Sequence, residues 1–74
     1  MKVTVKLFAT LREGRFDIRE MDFPEKSTPA TVAGHLKISE EQAAIVFVNG
    51  RNAEMDQELR EGDTLAIFPP IGGG

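Results

Sequence analysis

Apolar and polar positions alternate from Lys2 to Phe8, with Val3, Val5 and Leu7 on one side and Lys2, Thr4, Lys6 and Phe8 on the other. That period of two predicts a strand with one buried face. Phe8 is the odd member, an aromatic on the polar side. Ala9 to Arg15 carries both signs of charge and closes on Glu13-Gly14-Arg15, which reads as a solvated connector ending in a turn. Phe16 to Phe23 predicts a second strand, stopped by Pro24. Its alternation is irregular: Phe16 and Ile18 share one parity, Met21 and Phe23 the other. A register shift of this kind predicts a bulge.

Helical spacing replaces alternation after Pro24. Ser27-Thr28-Pro29 supplies a hydroxyl N-cap and a proline for the first helical position, and Val32 and Leu36, four apart, predict the buried stripe. Gly34 costs such a helix about 1 kcal/mol relative to alanine, so its stability must come from packing. Ser39-Glu40-Glu41-Gln42 fits a capping box with Ile38 and Ala43 as a hydrophobic staple, which predicts one turn or a short second helix. Ile45 to Val48 is unbroken apolar sequence and predicts a strand buried on both faces or at a sheet centre, closed by the turn dipeptide Asn49-Gly50. Arg51 to Met55 adds a short edge strand. Leu59-Arg60-Glu61-Gly62-Asp63 is a further turn, with Gly62 suited to positive φ. It delivers the last strand, where Leu65 and Ile67 face inward and Ala66 and Phe68 outward. The order β-β-α-β-(β)-β predicts an α+β fold, a mixed sheet of four to five strands packed on one main helix. Periodicity does not fix the strand order.

The last strand runs into Pro69-Pro70-Ile71-Gly72-Gly73-Gly74. Proline fixes φ and biases its predecessor toward extended geometry, so the pair should act as a stiff spacer. Glycine beyond it has no side chain to obstruct a narrow passage. Fully extended, residues 69–74 would reach roughly 20 Å, enough to present the carboxylate of Gly74 inside another protein. The sequence therefore divides into a domain at 1–68 and an extended, flexible tail at 69–74.

Composition narrows the function. Seventy-four residues make one small domain, with little room for a deep pocket or a self-contained active site. Twelve acidic against nine basic residues give a net charge of −3, which argues against nucleic acid. The longest apolar run, Ala43 to Val48, is too short to span a membrane, and no signal segment is present; a cytoplasmic location is expected. Cysteine is absent, which removes disulfides, thiolate metal sites and a thiol nucleophile. His35, the one histidine, has no evident partner and reads as a helix-surface residue. No Walker loop, dinucleotide fingerprint or metal spacing occurs, so no bound cofactor or metal is expected.

Four short motifs in order carry a family resemblance. Phe8-Ala9-Thr10-Leu11-Arg12-Glu13, Val46-Phe47-Val48-Asn49-Gly50, Leu59-Arg60-Glu61-Gly62-Asp63 and Phe68-Pro69-Pro70-Ile71-Gly72-Gly73-Gly74 resemble the MoaD/ThiS sulfur carriers, ubiquitin-like proteins of molybdopterin and thiamine biosynthesis. The first motif is most similar to the molybdopterin synthase small subunit, and the resemblance spans essentially the whole chain. It implies a β-grasp fold with the first and last strands side by side in parallel. It also implies a mechanism. An E1-like adenylating enzyme activates the Gly74 carboxylate with ATP, and a sulfur donor enzyme's persulfide displaces AMP to leave a thiocarboxylate. The molybdopterin synthase large subunit, or a thiazole synthase, then receives the tail. In that picture Gly73, Gly72, Ile71, Pro70 and Pro69 thread the partner's tunnel. The chain is then the sulfur-donating small subunit of a synthase complex rather than a catalyst alone. Without cysteine, the terminal carboxylate is the remaining attachment point for sulfur.

Strand parity adds a docking surface. Phe8 and Phe68 fall outside the core on strands the β-grasp makes neighbours, and Phe47 joins them if Val46 and Val48 point inward. Three aromatics on one helix-free face mark a partner site. Gly72 stands where relatives carry a small residue, so the working Gly-Gly pair of the resemblance maps to Gly73-Gly74. One departure, a segment between Arg12 and Phe16 shorter than in molybdopterin subunits, leaves open a thiamine role or a specialised sulfur donor to another pathway. The alternatives are a thiamine thiazole sulfur carrier, a protein modifier joined through Gly74 to lysines, and a non-covalent β-grasp interaction module.

Overall fold

The structure, a computed structural model, describes residues 1–70. Its elements are β1 (Lys2–Leu7), a single 3₁₀ turn (Ala9–Arg12), β2 (Ile18–Asp22), α1 (Pro29–His35), β3 (Ile45–Val48), β4 (Arg51–Asn52) and β5 (Thr64–Phe68). The strands form one sheet in the order β2-β1-β5-β3-β4. β1 pairs β5 in parallel, with Val5 opposite Leu65 and Leu7 opposite Ile67, and every other pairing is antiparallel. This mixed five-stranded sheet with one helix is a β-grasp. The tail expected at 69–74 falls mostly on residues 71–74, outside the described residues.

Period-two patterning decides which face is core. Val3, Val5, Leu7, Val46, Val48, Leu65 and Ile67 are buried on the helix side, and Val32 and Ala33 of α1 close over them. Thr28 caps α1 by accepting from the Thr31 amide, while the Thr31 hydroxyl accepts from the Thr28 amide, and Pro29 occupies the first turn. The buried stripe is Pro29, Val32 and Ala33, and the helix ends before Leu36, which is half-buried at the C-cap. Termination follows from Lys37 at φ 61°: its amide donates to Gly34 and that of Ile38 to Ala33, a Schellman motif built on a non-glycine residue. The Ser39–Gln42 capping box forms in both directions but supports a single turn, with Ile38 and Ala43 buried beside it.

Three expectations from the sequence are corrected. β2 contains no bulge: its register against β1 is unbroken from Lys2–Asp22 to Lys6–Ile18. The irregular parity arises because Ile18 is 62% exposed on the outer face, while Phe16 and Phe23 pack against the core from beyond the strand ends. Secondly, β3 is neither doubly buried nor central; Val46 and Val48 are buried, Ile45 and Phe47 half-buried, and β5 holds the centre. Thirdly, β4 is confined to Arg51–Asn52.

The two turns read from sequence join at the start of β5. Asn49 and Gly50 both have positive φ, 53° and 80°, the two-residue hairpin geometry that favours this dipeptide. The Asp63 carboxylate accepts from the Arg60 amide at 2.8 Å and from the Asn49 side-chain amide at 2.9 Å, and Asn49 Oδ1 accepts from the Thr64 amide. This network holds β3 and β5 in register, and so sets where β5 ends.

Candidate functional site

The site grows out of that register. Leu7 lies opposite Ile67 in a parallel pair, so the next residue of each strand, Phe8 and Phe68, emerges at the same end and on the same outer face. Their rings stack with centroids 4.2 Å apart and planes 12° from parallel. On the other flank of β5, Phe47 sits opposite Ala66 and Ile45 opposite Phe68. The methyl of Ala66 leaves Phe47 room to lean diagonally onto Phe68, edge-on at 5.6 Å and 88°. Offset stacking and edge-to-face contact are the two preferred aromatic geometries, so the cluster is held in shape before any partner arrives. All three phenylalanines are half-buried, with Phe68 in ring contact with both of the others.

Beside the cluster runs an apolar groove of about 330 Å³. Phe8, Phe47 and Phe68 form its wall, Ala9 and Ile45 extend it, and Pro69 and Pro70 lie along its end. The groove therefore opens where the chain leaves β5 and heads for Gly74. A larger cleft, about 660 Å³ and mainly polar, lies at the opposite end of β5 around Asn49, Arg51, Arg60 and Asp63. The side chains of Asn49 and Asp63 are spent there on each other and on the amides of Thr64 and Arg60, so volume alone does not mark the site.

Phe8, Phe47 and Phe68 are thus brought together, with Pro69 and Pro70 adjoining them. The proposed threading residues Ile71, Gly72 and Gly73, and the attachment point Gly74, lie outside the described residues. Sequence reasoning missed Ile45 and Ala9. Ile45 has the parity of Phe47 two residues on, a signal that was present. Ala9 had none: it enters the groove because its backbone turns through φ 53°, leading β1 into the 3₁₀ turn. Arg15 was also missed. Its guanidinium donates to the carbonyls of Leu36 at 3.0 Å, Leu11 at 3.1 Å and Lys37 at 3.3 Å, tying the segment that carries Phe8 and Ala9 to the end of α1.

Among the described residues no group of three or more His, Cys, Asp or Glu side chains converges to hold a metal ion, and no helix is long and apolar enough to cross a membrane. What the arrangement offers chemically is a preformed apolar surface beside an emerging terminal strand.

Known proteins share this architecture. A protein of Pyrococcus furiosus assigned as molybdopterin converting factor subunit 1 superposes with a TM-score of 0.75 at 31% identity, over 96% of this chain and 99% of that one. SAMP1 of Haloferax volcanii gives 0.75 at 28% identity over the whole of both chains. A chain of the complex of subunits 1 and 2 of the molybdopterin-converting factor from Helicobacter pylori gives 0.65 at 19% identity over both full lengths, a likeness of fold. No curated protein matches the sequence. The ThiS family pattern matches residues 5–74, from the middle of β1 to the final glycine, and the chain belongs to the ThiS family of ubiquitin-like sulfur carriers.

Proposed function

We propose that this chain carries sulfur as a thiocarboxylate on Gly74 and delivers it in molybdopterin assembly, for a molybdenum or tungsten cofactor. The observation that carries this reading is the aromatic groove beginning where Pro69 and Pro70 leave β5, in a chain whose family match runs through Gly74. The 31% identity to the Pyrococcus protein over nearly the full length favours the molybdopterin branch over the thiazole branch.

The chemistry divides between carrier and partners. A carboxylate is a poor electrophile, so an E1-like enzyme must join the Gly74 carboxylate to the α-phosphate of ATP, releasing pyrophosphate. The terminal sulfur of a donor enzyme's persulfide attacks that acyl carbon and AMP leaves with the electron pair. A thiol then cleaves the resulting acyl disulfide, and the thiocarboxylate remains on Gly74. Inside a synthase large subunit this sulfur attacks the pterin precursor, with the partner supplying bases and charge stabilisation. The carrier contributes a docking surface that spares the partner the cost of ordering it, and a tail without bulky side chains.

Incubation with the adenylating enzyme, ATP and a sulfur donor should raise the intact mass by the difference between sulfur and oxygen, localised to Gly74. The loaded protein should then convert a pterin precursor with the large subunit, and a chain lacking Gly73 and Gly74 should do neither. Modification elsewhere, or none with any adenylating partner, would refute carriage. The 28% identity to SAMP1, a modifier by name, favours protein modification as the second reading. Isopeptide-linked lysines found in place of a thiocarboxylate would select it.

A further inference from the structure

Asn49 and Asn52 are the two asparagines of the chain, and their chemical surroundings differ. Asn52 precedes Ala53, whose methyl crowds its own amide nitrogen. Asn49 precedes Gly50, both are exposed, and the space around the Gly50 Cα is open. An asparagine before glycine is the arrangement most open to attack by the following backbone nitrogen. After losing its proton to hydroxide, the Gly50 nitrogen adds to Cγ of Asn49; the Cγ–Nδ2 bond breaks, ammonia leaves and a succinimide closes. Water then opens the ring at either carbonyl, leaving an aspartate or a β-linked isoaspartate at position 49.

In the folded chain the Asn49 carboxamide is anchored at both ends. Its Nδ2 donates to Asp63 Oδ1 at 2.9 Å, its Oδ1 accepts from the Thr64 amide at 2.9 Å, and the Asn49 amide donates to the Thr64 carbonyl at 2.9 Å. The backbone beneath it is fixed at φ 53° by a two-residue turn between Val48 and Arg51. Cγ can close on the Gly50 nitrogen only by swinging off both anchors, so the reaction waits for the lock between β3 and β5 to open.

Asp63 makes the change one-way. Its second oxygen accepts from the Arg60 amide at 2.8 Å, so both oxygens act as acceptors and position 49 must supply a donor. Deamidation sets a carboxylate oxygen there instead, two like charges at hydrogen-bond distance. Arg51, Arg60 and Glu58 line the same cleft, but among the described residues no basic side chain pairs with Asp63 to offset the repulsion. The isoaspartyl product adds a methylene to the main chain of a turn that has room for two residues.

We propose that Asn49 is a deamidation site guarded by Asp63: the turn converts when the β3–β5 lock opens, and the carboxylate it gains keeps the lock from closing again. Local opening of this end of the sheet is thereby written into the chain as a permanent loss of stability. The site lies at the end of β5 remote from the aromatic groove, and the proposal does not depend on sulfur carriage.

The full chain, folded or in urea, is incubated in warm, mildly alkaline buffer, and peptide mapping by mass spectrometry separates the three forms of residue 49. Conversion is expected at Asn49 and not at Asn52, and at least about tenfold slower in the folded chain than in urea. Asp63→Ala, compared at matched folded fraction, should speed conversion of the folded chain several-fold. Asn49→Asp should lower the urea midpoint. Adding Asp63→Asn to it exchanges donor and acceptor across the same contact and should recover most of that loss. Equal rates folded and in urea, no conversion at Asn49 in urea, or an unchanged rate in folded Asp63→Ala would overturn the proposal. So would an Asn49→Asp chain as stable as the unaltered one, or a double variant no more stable than Asn49→Asp alone.

Discussion

Replacing Phe68 by serine should separate docking from folding, because the two depend on opposite faces of β5. The substitution removes one stack and one edge-to-face contact, each worth about 0.5–1.5 kcal/mol, so the loss of stability should be about 1–3 kcal/mol. A domain of this length is expected to have roughly 4–11 kcal/mol, and the variant should remain folded at 25 °C. An aromatic anchor at the centre of an interface contributes about 2 kcal/mol or more, so affinity for the adenylating enzyme should fall about thirtyfold. Urea titration gives the first number and calorimetric binding at matched folded fraction the second. Ile67→Ala, one residue earlier and fully buried, supplies the contrast. It should cost about 2–5 kcal/mol of stability while leaving affinity per folded molecule within a few-fold. If Phe68→Ser unfolds the protein, or binds its partner as tightly per folded molecule as the unaltered chain, the outer aromatic face is not the docking surface.

Two further substitutions test how the groove is supported. Arg15→Ala removes three hydrogen bonds from a charged donor to backbone carbonyls and should destabilise by about 1.5–3 kcal/mol; Arg15→Lys should not rescue it, since a single ammonium cannot reach three diverging carbonyls, and an unchanged urea midpoint would show the clamp to be idle. Lys37→Gly relieves a side chain held at φ 61° and should gain about 0.5–1 kcal/mol after the extra unfolded-state entropy of glycine is subtracted, read as a rise of about 2–8 °C in Tm; a Tm at or below that of the unaltered chain would refute the account of the helix end.

Legibility in the sequence followed interaction range. The alternations of β1 and β5 named the core residues and left Phe8 and Phe68 outside, because a strand with one buried face imposes its period directly on the chain. The Thr28–Pro29 start and the Asn49-Gly50 hairpin were legible for the same reason, each being decided within four residues. Ile18 misled because a lone exposed isoleucine carries no signal of its surroundings, and the irregular parity around it suggested a bulge the register does not contain. Arg15 was invisible because its partners lie 21 and 22 residues away on a helix end, and a guanidinium that seeks bare carbonyls leaves no pattern in the sequence. The parallel pairing of β1 with β5 came from the family resemblance alone.

That parallel pairing makes the site. Antiparallel neighbours joined by a short hairpin would have carried Phe8 and Phe68 to opposite ends of the sheet; the parallel pair carries both to the end from which the chain departs toward Gly74. A slip of one residue between β1 and β5 would put Leu7 and Ile67 out of step and trade buried aliphatic for outer aromatic positions, so the core that stabilises the fold also enforces the alignment of the rings. The Asn49–Asp63 network protects the same alignment from the far end of β5, by fixing where the strand begins against β3. The side chains that hold the groove in place are therefore mostly not in it. Its geometry is inherited from a core selected for packing, which explains how a chain of 74 residues can hold three aromatic rings in one ordered groove on its outer sheet face.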